Sequence, residues 1–224
     1  MAFILNIETA TTVCSVSISE NDTLIALKEI DNGFTHAENL HVFINELLIQ
    51  TNLRPTDINA VAVSKGPGSY TGLRIGVSAA KGLCYALNIP LISLSTLKVM
   101  ANSIEVRKEN VFYCPMLDAR RMEVYTTLFD SGLNEVSPTE ALIVDEQSIE
   151  KFKNYSAVYF FGDGMPKCKD VLSYIPQAYF IENIKPSSKC MINLADKKFK
   201  EKNFEDVAYF EPFYLKDFMI STKK

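Results

Sequence analysis

The five cysteines of this 224-residue chain (Cys14, Cys84, Cys114, Cys168 and Cys190) include no CxxC pair, and their number is odd. A zinc ribbon and a disulfide framework are thereby excluded, and reduced thiols in a cytoplasmic protein are expected. Excess basic charge is missing too: 23 Lys and Arg stand against 27 Asp and Glu, a net charge of −4. A protein that reads nucleic acid unaided usually presents a basic face. This chain has only short clusters, DKKFKEK and the terminal STKK, so work on RNA would need a partner to supply most of the contact. No run approaches the roughly 18 apolar residues of a membrane span. The opening MAFILNIETATTVCSVSIS lacks a basic leader and carries Glu8 within its apolar run, so a secretory signal is not expected there. Histidine is scarce. His36 and His41 are five residues apart, about 140° around a helix, too far round to share a metal on one face. His36 is expected to be a cap or surface residue and His41 partly buried.

What is present reads as an α/β protein. With 47% hydrophobic and 22% charged residues, the chain is an ordinary globular sequence with room for one large domain or two lobes of about 100 residues each. FILNIET, TVCSVSIS and TLIALKEID alternate as an antiparallel meander. HAENLHVFINELLIQ carries a helical apolar stripe. INAVAVS is a buried strand, GLRIGVSAAKGLCYAL a helix and IPLISL another strand. A second meander follows in NVFYCPMLDA and EVYTTLFD, with EALIVD as a possible third strand. DEQSIEKFK is then a short helix, SAVYFFGDG a buried strand ending in glycines, and GMPKCKDVLSYI and SKCMINLADKKF are helical. The second half thus repeats the plan of the first. The boundary is expected in ANSIEVRKEN, giving lobes 1–101 and 102–224, with AYFEPFYLKDF a tail that could cross back to the first lobe.

The stretch AVAVSKGPGSYTGLRIGVSAAKG invites a phosphate-loop reading that its spacing refuses. A Walker loop needs GxxxxGK followed by Ser or Thr, and Lys81 lies ten residues into the helix. A dinucleotide fingerprint needs a third glycine where Thr71 stands. Pro67 and Gly68 suit the central positions of a type II turn, and Ser69 or Thr71 can cap the helix. Gly72, Gly76, Ala80 and Cys84 recur every four residues as a ridge of small side chains that admits another helix at close spacing. Leu73, Val77, Leu83 and Leu87 form a second apolar stripe, leaving only Arg74 and Lys81 charged. The reading expected from this is a face reserved for a partner protein, extended by Val42, Phe43 and Ile49 of the preceding helix. Packing of the helix within its own chain is the rival. Val77→Glu separates them: the partner reading expects an intact fold and lost binding.

NIETATTVCSVSI, HAENL, VSKGPGSYTGLRIGVSAAKGL, LDARRMEVY, FFGDG and EPFYLKDF, in this order across most of the chain, resemble the TsaB (YeaZ) family. That resemblance implies the actin-like, Hsp70-like and sugar-kinase-like fold, two duplicated α/β lobes around a cleft. It also implies a non-catalytic role in forming threonylcarbamoyladenosine next to the anticodon of tRNA, paired with a TsaD-type catalytic subunit and joined by a TsaE-type ATPase. ATP and metal then belong to those partners, tRNA is met through the complex, and the chain alone forms a homodimer. The implied partner surface is the helix pair near 36–50 and 71–87, with Leu40, Phe43, Leu47, Gly72, Leu73, Gly76, Val77, Ala80, Lys81 and Cys84. Glu8, Asp118, Arg120, Gly162, Asp163 and Gly164 fall where this fold positions nucleotide, although Glu8-Thr9 lacks the Asp-x-Gly-Thr of its active kinases, so a degenerate cleft is expected. The catalytic relatives hold metal through HxxxH, and LISLSTLKVMA contains no histidine. A metallopeptidase or an ATP-dependent phosphotransferase acting alone are the alternatives. A serine hydrolase is not, since no GxSxG elbow occurs.

Overall fold

The computed structural model describes residues 2–33, 35–104 and 108–216. Alternating strands β1 (Phe3–Glu8), β2 (Val13–Glu20) and β3 (Thr23–Asp31) form the meander, and α1 (His36–Thr51) leads to β4 (Ala60–Gly66). Then come α2 (Tyr70–Leu87), β5 (Leu91–Ser95) and α3 (Thr96–Asn102). The second half holds β6 (Phe112–Asp118), β7 (Glu123–Thr126), β8 (Glu140–Ile143), a 3-10 turn at Ser148–Lys151, β9 (Val158–Phe161), α4 (Met165–Leu172), β10 (Ala178–Ile181) and α5 (Ile192–Lys200).

The sheets run β3-β2-β1-β4-β5 and β8-β7-β6-β9-β10. In each the first strand is antiparallel to the second and parallel to the fourth. This is one topology written twice, the duplicated α/β plan of the actin-like and sugar-kinase-like fold. The copies differ where α1 should recur: the second lobe has only the 3-10 turn at Ser148–Lys151.

Burial explains the strand composition. Val61, Val63, Leu5 and Ile7 pack against Leu40, Leu47, Val77 and Cys84 of α1 and α2. Alternate residues Ile4, Ala60, Ala62 and Ile92 face the opposite side, where Val99 of α3 and Ala195 of α5 cover them. A strand covered on both faces reads as a continuous apolar run, as AVAV does. α3 also closes the second sheet, through Leu97, Met100 and Ala101 against Tyr113, Leu117 and Phe161.

The second half therefore returns to the first. α5 packs on the first sheet, Glu205 bridges to Leu91, and the Phe213 amide donates to the Lys65 carbonyl at 2.7 Å. The tail also accepts from Lys81, whose Nζ reaches the carbonyls of Ala208 (3.2 Å) and Phe210 (2.8 Å). Of the expected linker, residues 105–107 lie outside the described residues, as do residues 217–224 with the STKK cluster. No helix among the described residues is long and apolar enough to cross a membrane.

Candidate functional site

The glycines after β4 are set by the first hairpin. A Cβ on Gly68 would stand 2.4 Å from the Ala10 carbonyl oxygen, one on Gly72 2.1 Å from that of Thr9, and one on Gly76 2.2 Å from Thr9 Oγ1. Thr9 Oγ1 donates to the Gly72 carbonyl at 2.8 Å, and the Ser69 amide to the Ala10 carbonyl at 2.7 Å. Carbonyl oxygens thus fill the space that a phosphate would need. The expected type II turn is not formed: Gly68 is not among the glycines with positive φ, whereas Gly66 is, at 109°, before a cis bond to Pro67. Ser69 does cap α2, accepting from the Gly72 amide at 3.3 Å.

The second lobe repeats the device. Gly162, at φ 106°, ends β9 as Gly66 ends β4. A Cβ there would meet the Met116 carbonyl oxygen at 2.3 Å, and one on Gly164 the Leu117 carbonyl carbon at 2.9 Å. FGDG therefore binds its own hairpin, through the Gly164 amide to Met116 (3.0 Å) and Asp163 Oδ1 accepting from the Asp118 amide (3.1 Å).

Glu8, at the end of β1, is fully buried. Its Oε1 accepts from the Ala10 amide (2.7 Å) and Ser64 Oγ (2.8 Å), while Oε2 has no hydrogen-bond partner. Burial raises the carboxyl from 4.5 to about 7, against the opposing pull of Ala10, Ser64 and the Thr9 backbone. A carboxylate enclosed in this way is a poor ligand for magnesium. Asp118, at the corresponding end of β6, is exposed, accepts from the Arg120 amide (2.8 Å) and pairs with Lys167. Arg120 and Arg121 turn the hairpin with φ of 71° and 49°. Glu8 lies with Ser64, and Asp118 with Asp163 and Lys167, in separate groups. Neither supplies a bare pair of carboxylates, so these residues do not fit nucleotide-bound magnesium.

A metal set is no better supported. Among the described residues no three His, Cys, Asp or Glu side chains gather where they could hold an ion. The two histidines exchange their expected places. His36 is buried, with Nε2 2.8 Å from the Thr11 carbonyl, because the α1 start packs on the first hairpin. His41 is exposed.

The helix pair requires a larger correction. Leu40, Leu47, Val77, Ala80 and Cys84 belong to the core of their own lobe, Leu73 is buried beside Gly66, and Gly72 and Gly76 are closed by Thr9. Phe43 is half-buried against that core, and Lys81 is tied to the tail. Val77 is only 4% exposed, so Val77→Glu tests the core and not a docking face. The small-residue ridge accommodates a hairpin in the same chain. The outward side of α1 and α2 is different: Val42, Ile49 and Tyr85 are 49%, 71% and 86% exposed, and nothing lies within 4 Å of a Cβ on Gly82. Ser78, Gly82 and Ala86 are exposed one turn apart, a second small ridge that faces out. GLRIGVSAAKG thus holds two such rows, and only the contacts of Thr9 tell which is inward.

Residues 33–222 match the family model described as TsaD: tRNA N6-adenosine threonylcarbamoyltransferase. The tRNA threonylcarbamoyladenosine biosynthesis protein TsaB of Escherichia coli (strain K12) is 30% identical over 222 residues, covering 96% of this chain and 94% of that protein. The protein of the same name from Bacillus subtilis (strain 168) is also 30% identical, covering 95% and 93%. In fold the chain is similar to a crystal structure of YeaZ from Pseudomonas aeruginosa, at a TM-score of 0.80 and 21% identity, covering 96% of this chain and 100% of that one. A second Pseudomonas aeruginosa structure, of a protein with similarity to peptidase YEAZ, gives 0.83 at the same identity and coverage. The chain belongs to the TsaB (YeaZ) family, within the wider family that the TsaD model describes.

Proposed function

We propose that this chain is a non-catalytic subunit of the cytoplasmic assembly that forms threonylcarbamoyladenosine in tRNA, and that it docks a TsaD-type catalytic subunit on the outward face of α1 and α2. The observation that carries this reading is the contrast between strand ends filled by their own hairpins and an open helix face. Glu8 is enclosed by Ala10 and Ser64, and the glycine turns are filled by hairpin carbonyls. Val42, Ile49 and Tyr85 instead present apolar surface beside the Ser78–Gly82–Ala86 ridge, where a second helix can approach closely. ATP and metal belong to the partner subunits, one of them a TsaE-type ATPase.

Light scattering after size exclusion tests this, on the chain alone and mixed with its TsaD-type paralogue. The expected result is a homodimer that exchanges into a one-to-one heterodimer. Gly82→Leu, at a position where an added Cβ has no atom of its own chain within 4 Å, should abolish the exchange while leaving the circular dichroism unchanged. A chain that remains unmixed with the paralogue, and leaves threonylcarbamoylation of tRNA by that paralogue unaffected, refutes the reading.

A further inference from the structure

A cavity of about 290 Å³ opens at the carboxyl ends of β4 and β5 and is lined by Lys65, Lys98, Lys197 and Lys198, with Glu135 and Glu201 among its other residues. The lysines come from three elements, β4, α3 and α5, so their convergence is a product of the fold and not of a local run. Lys197 lies 4.0 Å from Glu201. Among the described residues Lys65, Lys98 and Lys198 are in none of the ion pairs, although the chain as a whole is acidic. Lys198 is half-buried, and its Nζ donates to the Ser93 carbonyl at 2.9 Å. Glu205 accepts from Ser93 Oγ at 2.5 Å and acts on Lys198 through space without an ion-pair contact. Burial, and then the Lys65 ammonium, hold Lys198 below its ordinary value, while the carboxylates of Glu205 and Glu201 only partly offset that repulsion. The carboxyl ends of strands are also where open α/β sheets place their ligands.

We infer that this cavity is a binding site for a phosphate group, and, resting on the proposed role in tRNA modification, that the group is a phosphodiester of the RNA strand. A phosphodiester presents two non-bridging oxygens that share one negative charge, flanked by two weaker ester acceptors set tetrahedrally, and so can meet ammonium groups arriving from different elements. It reduces their mutual repulsion, and each lysine it engages releases a counterion from the RNA. The site would position a strand without reading its sequence, since phosphate contacts fix register and bases carry specificity. A net-negative chain can thus contribute one local RNA contact inside a complex that supplies the rest.

The test uses the full chain, isotopically labelled, and two probes: inorganic phosphate against chloride at equal ionic strength, and a short RNA stem-loop. Phosphate should perturb Lys65, Ser95, Lys98 and Lys198 saturably. Lys65→Gln and Lys98→Gln should each weaken it about threefold to fivefold, and Lys153→Gln on the second lobe should not. RNA should shift the same resonances, be displaced by phosphate, and lose roughly 0.7–0.9 in the log–log salt slope with each variant. Saturable phosphate binding with no RNA effect would keep the anion site but assign it to a free phosphate compound, overturning the RNA source. If neither probe touches these residues, the site is overturned. Loss of TsaD-type partner affinity in Lys98→Gln would then assign the lysines to a carboxylate of that protein. Reconstituted threonylcarbamoylation separates the two levels: a wild-type chain that supports modification with an inert cavity leaves the proposed function standing, whereas one that supports none removes it whatever the cavity binds.

Discussion

Gly76→Ala should destabilise the protein, although the same change in most helices would stabilise it. Helix propensity alone favours alanine by about 1 kcal/mol. Here the new Cβ stands 2.2 Å from Thr9 Oγ1, in a fully buried contact, and overpacking of this kind costs about 1–3 kcal/mol. The threonine cannot rotate away freely, because Oγ1 donates to the Gly72 carbonyl at 2.8 Å. Taking the upper end of that cost for a contact this short, about 3 kcal/mol, and subtracting the propensity gain leaves a net loss of about 2 kcal/mol, or roughly 4–8 °C in Tm for a chain of this size. Thr9→Ala by itself forfeits that hydrogen bond, about 1 kcal/mol. In its background, however, the obstruction is gone and Gly76→Ala should become neutral or stabilising. Gly72→Ala gives the contrast. Its Cβ would lie 2.1 Å from the Thr9 backbone oxygen, which no side-chain change removes, so Thr9→Ala should not rescue it. Urea denaturation of the single and double variants measures both cycles. A Gly76→Ala protein as stable as wild type, or a double variant worse than the sum of its parts, would refute the account of the ridge as a seat for the first hairpin.

The remaining predictions follow from the same contacts. Val77→Glu places a carboxylate in the first-lobe core and should cost more than about 3 kcal/mol, visible as lost cooperative unfolding, whereas Tyr85→Glu should keep wild-type Tm and lose partner exchange. Glu8 is held at about 7, above its ordinary 4.5. Its native state therefore binds the proton more tightly than the unfolded chain, and the stability it contributes is full below pH 4.5 and lost as pH rises through 7, by about 3 kcal/mol in all. Glu8→Gln should flatten that decline in a series of urea midpoints between pH 5 and 8, and an unchanged slope would mean that the carboxyl is not the titrating group. Lys81→Ala removes both tail bonds and should speed limited proteolysis within residues 207–214, leaving the 2–104 region intact.

Periodicity made most of the fold legible. Strands covered on both faces gave unbroken apolar runs, and α1 and α2 begin and end within two residues of the segments that read as helical. α3 and β10 escaped notice, because TLKVMAN is short and buried on several sides and AYFI lies between turns with no alternation. The inward and outward rows of α2 could not be separated by spacing: both are small, four apart and free of charge. Only a tertiary partner decides, and that partner is one threonine at the hairpin tip sixty-odd residues upstream. The lysine cavity was hidden for a similar reason, since Lys65, Lys98 and Lys198 are far apart in the chain and meet only after α5 returns.

That return sets an order for synthesis. Ile4, Ala60 and Ile92 leave the ribosome early, yet the cover for their face includes Met191 and Ala195, close to the end of the chain. An N-terminal half that could otherwise fold as it emerges must wait with one side of its sheet incompletely covered until Met191 and Ala195 have been made. The two halves are therefore duplicated in design but not independent in assembly. A fragment stopped before α5 should be a client for chaperones rather than a lobe that stands alone.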